Sequence, residues 1–125
     1  MLVAFSTSNG AYVDMNLLDS SEFSVWDINS DEAYYVSRVS VEHRDGQRWY
    51  DKASARAEAL RHCSIVCAAE ISGPAAARLI SHGVHPMKTW VAVPVEDVIT
   101  RLQEVLRGSP APWITKTQME LAGGN

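Results

Sequence analysis

The stretch from Cys63 to Trp90 constrains the fold of this chain more than any other. Ser64 to Ala69 is a nearly unbroken apolar run, and such a run, closed by a turn signal, suits a strand covered on both faces. Ser72 is placed to cap a following helix, Pro74 falls in its first turn where a missing N–H costs nothing, and Gly83 stands where a helix wants a left-handed residue. The unit reads as buried strand, tight Gly-Pro turn, helix of about three turns, glycine stop and second strand. The helix start would offer N–H groups of Gly73 and Ala75 to an anion at the end of a buried strand. An equal alternative is that Gly-Pro only lets the helix pack closely on the sheet.

The rest of the chain has to pack against that unit. Leu2 to Ser6 is a short apolar run that stops before Asn9-Gly10, a pair suited to a tight hairpin, so Ala11 to Val13 is expected to return as a strand. Asp14 to Ser20 breaks the alternation and reads as a loop with Leu17 and Leu18 folded inward. Phe23 to Ile28 alternates with a period of two, and Asn29-Ser30-Asp31 turns into Ala33 to Glu42, which predicts an antiparallel meander. His43 to Arg48 is a polar connection with a turn-forming Asp45-Gly46. From Trp49 to about His62, Ala53, Ala57 and Leu60 recur at helical spacing while Lys52, Arg56 and Glu58 fall on other faces. Thr89 to Val93 is expected as a last strand, and Pro94 opens a third helix whose stripe is Val95, Val98, Ile99, Leu102, Val105 and Leu106, stopped by Gly108. Beyond it, Trp113 is expected to dock and the last residues to fray.

A chain of 125 residues can bury one core, so one domain is expected. The formal charge of -4 carries no basic block, and no nucleic-acid partner is expected. No apolar stretch approaches the roughly 20 residues that span a bilayer, so no membrane partner is expected either. Two cysteines make no disulfide framework, and Leu2 to Gly10 lacks the basic start and long apolar core of a signal peptide. The expected setting is the cytoplasm, with reduced thiols.

Three segments carry a resemblance: Ser72 to Ala76, Gly83 to Lys88 and Gly108 to Trp113. Through them the chain, from about Leu2 to Trp113, closely resembles the nitrogenase iron-molybdenum cofactor biosynthesis family, the NifX, NifY and NafY group related to the C-terminal domain of NifB. The resemblance implies a single RNase H-like α/β domain over residues 1–113 followed by a tail over 114–125. Its sheet would be mixed and five-stranded, with room for a sixth short strand, and flanked by three helices. It also implies a non-catalytic role: transient binding of an iron-sulfur cofactor precursor or of the iron-molybdenum cofactor. The implied partners are the cofactor-assembly proteins and apo-dinitrogenase.

Relatives carry His-Phe-Gly in the loop after the second strand, and alignment through Val13-Asp14 puts Asn16 where that histidine stands. An amide is a poor ligand for iron beside imidazole or thiolate, while Met15 next to it offers a thioether. Cys67 is the candidate metal ligand, since thiolates hold iron-sulfur clusters; the alternative is that it is a small buried hydrophobe. Ser72, Gly73 and Ala75 form the anion-favouring turn, and His85, matching the family's His-Pro segment, orients the turn by hydrogen bonding. His82 reads as a charge at a helix C-terminus, and His43 and His62 as solvated.

Three functions compete on these residues. The first is a carrier that holds the cofactor or its precursor by few strong bonds, so that release stays fast. The second is a family member without cluster binding that acts by holding apo-nitrogenase, for which Asn16 speaks. The third is a hydrolase, which needs several carboxylates converging on a divalent metal, with Asp14, Asp27 and Glu70 as the available set.

Overall fold

The computed structural model describes residues 1–42, 46–89 and 92–108. The element order is β1 (Leu2–Ser6), β2 (Tyr12–Val13), β3 (Glu22–Ile28), β4 (Ala33–Ser40), α1 (Trp49–Ala59), β5 (Ile65–Ala68), α2 (Gly73–Ser81), β6 (His85–Lys88), β7 (Val93–Pro94) and α3 (Val95–Leu106). Five strands form a mixed sheet in the order β4-β3-β1-β5-β6, and β2 pairs with β7 in a separate two-stranded ribbon. β1, β5 and β6 run parallel, and β3 lies antiparallel to both β1 and β4.

Strand alternation sorts the core into two layers. Ala4, Val66 and Ala68 face α1 and α2, where they meet Ala53, Ala57, Ala75 and Leu79. The small side chains on both sides let these helices sit close to the sheet. Val3, Phe5, Ile65 and Cys67 point the other way and pack with Val95, Val98, Ile99, Leu102 and Val105 of α3. All four β5 residues are buried, as the apolar run predicts. The predicted stripe of α3 is likewise buried except for Leu106, which is half-buried.

The helix signals act as read. Ser72 caps α2 by accepting from the Ala75 N–H at 3.3 Å. At its far end Gly83 takes φ +78°, while Gly83 N–H donates to Ile80 O at 2.9 Å and Val84 N–H to Leu79 O at 3.0 Å. This glycine-centred stop turns the chain directly into β6.

Three expectations are corrected. Ala11 to Val13 does not return beside β1, because β3 and β5 already occupy both edges of that strand. Asn9 Oδ1 instead accepts from the N–H groups of Ala11 and Tyr12, and the chain crosses over so that Tyr12 pairs with Pro94 and Val13 with Val93. The strand expected after the Gly83 stop is β6, His85–Lys88, which runs level with the short β5, whereas Val93, expected at the end of a further strand from Thr89, lies outside the five-stranded sheet and pairs with Val13 in the ribbon. Pro86 is tolerated there because β6 is an edge strand that need not donate on its outer side. Arg56, assigned to a polar face of α1, is fully buried. His43 and Trp113, and with them the expected domain end and tail, lie outside the described residues.

Candidate functional site

Two segments meet at the carboxyl end of β5. Ala69 N–H donates to Met15 O at 3.0 Å and Leu17 N–H to Glu70 O at 2.9 Å, so the chain from Met15 to Leu17 runs beside the end of β5, with Asn16 and Glu70 forming a parallel bridge. The crossing carries the chain from the α3 side, where Val13 is buried, to the α1 and α2 side, where Leu17 is buried. β1 is followed in the sheet by β3 on one side, and β5 by β6 on the other. Ligands in open α/β sheets bind outside the carboxyl ends of such a strand pair. The crossing and the α2 turn both lie at that end.

Asn16 is exposed and Met15 half-buried. The Asn16 side chain is already engaged, its Oδ1 accepting from Leu18 N–H at 3.0 Å. Two residues after Glu70 comes the turn at Ser72, exposed together with Gly73, while Ala75 is buried. Its donors are fewer than the sequence suggests. Ala75 N–H is taken by Ser72 Oγ and Pro74 has none, so Gly73 N–H is the donor of this turn that has no protein acceptor among the described residues. Lys88, missed in the sequence, ends β6 opposite Ala68 and brings an ammonium to the same rim, where it pairs with Glu70 at 3.6 Å. Its signal is the register of β6 against β5, which the sequence of the strand alone does not carry.

Cys67 and His85 are not brought to this rim. Cys67 has no exposed surface and packs in the α3 layer, and burial raises its thiol well above the ordinary value. Cys63 lies in the opposite layer, its thiol pushed up to about 11 by the same cause. Neither is prepared to present a thiolate. His85 pairs with Ile65 at the amino end of β5, roughly 16 Å along the strand from Glu70. His82 caps α2, its Nδ1 lying 3.0 Å from Arg78 O. The carboxylates do not converge either: Asp27 pairs with Leu2 and binds the N-terminal amine at 3.0 Å, at the other end of the sheet from Glu70. Among the described residues, no cluster of three or more His, Cys, Asp or Glu side chains is arranged to hold a metal ion.

Away from this rim, a concavity of about 370 Å³ opens beside the Thr7 to Gly10 turn and is walled by Trp26, Tyr35 and Arg38. None of the candidate binding residues lines it, although Ser8 N–H, bonded to Asp14 at 2.9 Å, ties its rim to the chain entering the crossing. No described helix is long and apolar enough to cross a membrane.

Residues 1–105 match the family described as dinitrogenase iron-molybdenum cofactor. The chain is 32% identical to protein NifX of Herbaspirillum seropedicae over 123 residues, covering 96% of this chain and 83% of that one. It is 30% identical to protein NifY of Azotobacter vinelandii over 115 residues, covering 91% of this chain but 46% of that longer one. In three dimensions it is similar to the crystal structure of PH0822, with a TM-score of 0.68 at 19% identity over 84% of this chain and 90% of that one, a likeness of fold alone. The chain therefore belongs to the dinitrogenase iron-molybdenum cofactor family, with NifX and NifY among its relatives.

Proposed function

We propose that this protein acts in nitrogenase cofactor biosynthesis as a non-catalytic carrier. Its cargo is the iron-molybdenum cofactor or an iron-sulfur precursor of it, bound transiently and passed between cofactor-assembly proteins and apo-dinitrogenase in the cytoplasm. The observation that carries this reading is the backbone pairing of Met15 to Leu17 with Ala69 and Glu70, which joins the Asn16 crossing to the Ser72-Gly73 turn at one rim. The strand order, with β3 alone reversed, is the basis for reading the domain as RNase H-like.

The rim suits reversible binding of an anionic cluster. Gly73 N–H and the positive end of α2 attract sulfide and carboxylate oxygen alike, Lys88 offers a cation that an anionic cargo would share with Glu70, and the Met15 thioether is a soft but weak iron ligand. Without thiolate or imidazole at the rim, release needs no strong bond broken. The second reading, an interaction protein that holds apo-dinitrogenase and binds no cluster, is favoured by one observation: Asn16 Oδ1 is spent on Leu18 N–H.

Anaerobic incubation with isolated iron-molybdenum cofactor, then gel filtration and iron determination, separates the two. The carrier reading expects iron to co-elute with the protein. Iron eluting apart, while the protein co-elutes with apo-dinitrogenase, would replace it with the second reading.

A further inference from the structure

Arg56 has no exposed surface, a costly position for a guanidinium unless its donors are used. Its Nε donates to Leu17 O at 2.8 Å and to Ser20 O at 3.1 Å, and its Nη1 to Lys52 O at 3.0 Å, while its buried Nη2 has no partner among the described residues. Two of these three carbonyls belong to the segment that crosses the carboxyl end of β5, far from Arg56 in sequence. Leu17 and Ser20 are themselves buried. Without the guanidinium, their carbonyls would lose these donors in a place water does not reach. The remaining bonds of the crossing are local: the N–H groups of Asp19 and Ser20 both donate to Asn16 O at 3.1 Å. The segment is thus held from β5 through Ala69 and Glu70, and from α1 through Arg56. Burial lowers the Arg56 pKa, and the nearby Asp19 carboxylate opposes that shift.

We propose that Arg56 is the positioning residue of the cargo rim: by anchoring Leu17 and Ser20 it sets where Met15 and Asn16 stand relative to the Ser72-Gly73 turn, without touching the cargo. The part concerning cargo rests on the carrier reading. A lysine does not replace it, because a single ammonium at the end of a flexible stem lacks the Nε that reaches Leu17 and Ser20 while Nη1 reaches Lys52.

The test uses the full chain with Arg56→Met, which keeps an unbranched stem and removes the donors, and Arg56→Lys, which keeps the charge should the first variant fail to fold. Native-state amide hydrogen exchange is read at Leu17, Leu18, Asp19 and Ser20 against Ala4 and Val66. Anchoring by Arg56 requires at least a tenfold loss of protection at the crossing beyond any change at Ala4 and Val66. A loss shared equally by all six amides means that Arg56 only supports the core, and overturns the proposal. Affinity for isolated iron-molybdenum cofactor, measured where the variant is folded, should fall at least tenfold. A loosened crossing with unchanged affinity overturns the link to the cargo. Should the wild-type protein bind no cofactor, the carrier reading fails by itself, and the exchange comparison still decides whether Arg56 anchors the crossing.

Discussion

Asn16 occupies the position where the family resemblance implies a histidine, and its amide has a local task, closing a turn on Leu18 N–H. An imidazole there would exchange a 3.0 Å local bond for a much better iron ligand. Asn16→His is therefore expected to bind isolated iron-molybdenum cofactor about tenfold more tightly at neutral pH, equivalent to about 1.4 kcal/mol. The gain should vanish below about pH 6, because a histidine of ordinary pKa, about 6.5, is then protonated and cannot coordinate. Anaerobic titration of both proteins at two pH values measures it, and equal affinity at neutral pH would mean that the crossing does not face the cargo. The identity of Asn16 was legible in the sequence, but its bond to Leu18 was not. Arg56 was less legible still. Its polarity set it apart from Ala53, Ala57 and Leu60, although three residues from the first and four from the last it shares their helix face, and nothing local announces that carbonyls of Leu17 and Ser20 will fold over it. A buried cation is defined by distant acceptors, and periodicity carries no information about them.

At the scale of elements, what is encoded locally was readable, and what depends on a partner strand was not. The α2 cap at Ser72, its glycine stop and the stripe of α3 each follow from residues within a few positions of one another. The path of Ala11 to Val13 depended on whether β1 had a free edge, and β1 has none. Val93 likewise pairs with Val13 in the ribbon, a partner that nothing near it in sequence names. The Ser72 cap lends itself to separating stability from binding. Ser72→Ala removes the acceptor for Ala75 N–H, and at 3.3 Å that bond is long, so a loss of about 0.5 to 1 kcal/mol is expected from urea unfolding. Cofactor affinity should hold or rise in the same variant, because Ala75 N–H joins Gly73 N–H as a donor free for an anion. A fall in affinity larger than the fall in stability would assign Ser72 Oγ a direct contact with the cargo.

Over the whole molecule, the two-layer architecture follows from the alternation of β1 and β5, and it sends the two cysteines into opposite layers. Only part of this was visible beforehand. The apolar run around Cys67 announced burial, whereas the choice between ligand and core depended on whether its thiol reached a rim, and the α3 layer covers it completely. This gives a prediction for stability against pH. Burial holds both thiols above their ordinary value of 9.0, Cys63 at about 11 and Cys67 higher. Below about pH 9 both thiols are protonated in the native and unfolded states alike, and they contribute no pH dependence. As the pH rises past that value the unfolded chain releases these protons while the native protein retains them, so the native state binds more protons and loses stability. The decline attributable to Cys63 should level off above about pH 11, and that of Cys67 should continue further. Lysines and tyrosines titrate in the same range, so the comparison is made against Cys67→Ala, which removes one sulfur and is expected to cost about 1 kcal/mol at pH 7. Urea midpoints at pH 7, 9 and 10 should converge between the two proteins as the pH rises, because only the wild type carries the penalty of keeping that thiol protonated. Cofactor retention in Cys67→Ala should equal that of the wild type. Parallel midpoints, or rapid reaction of Cys67 with a thiol reagent in the native protein at pH 8, would contradict its burial and restore it as a ligand.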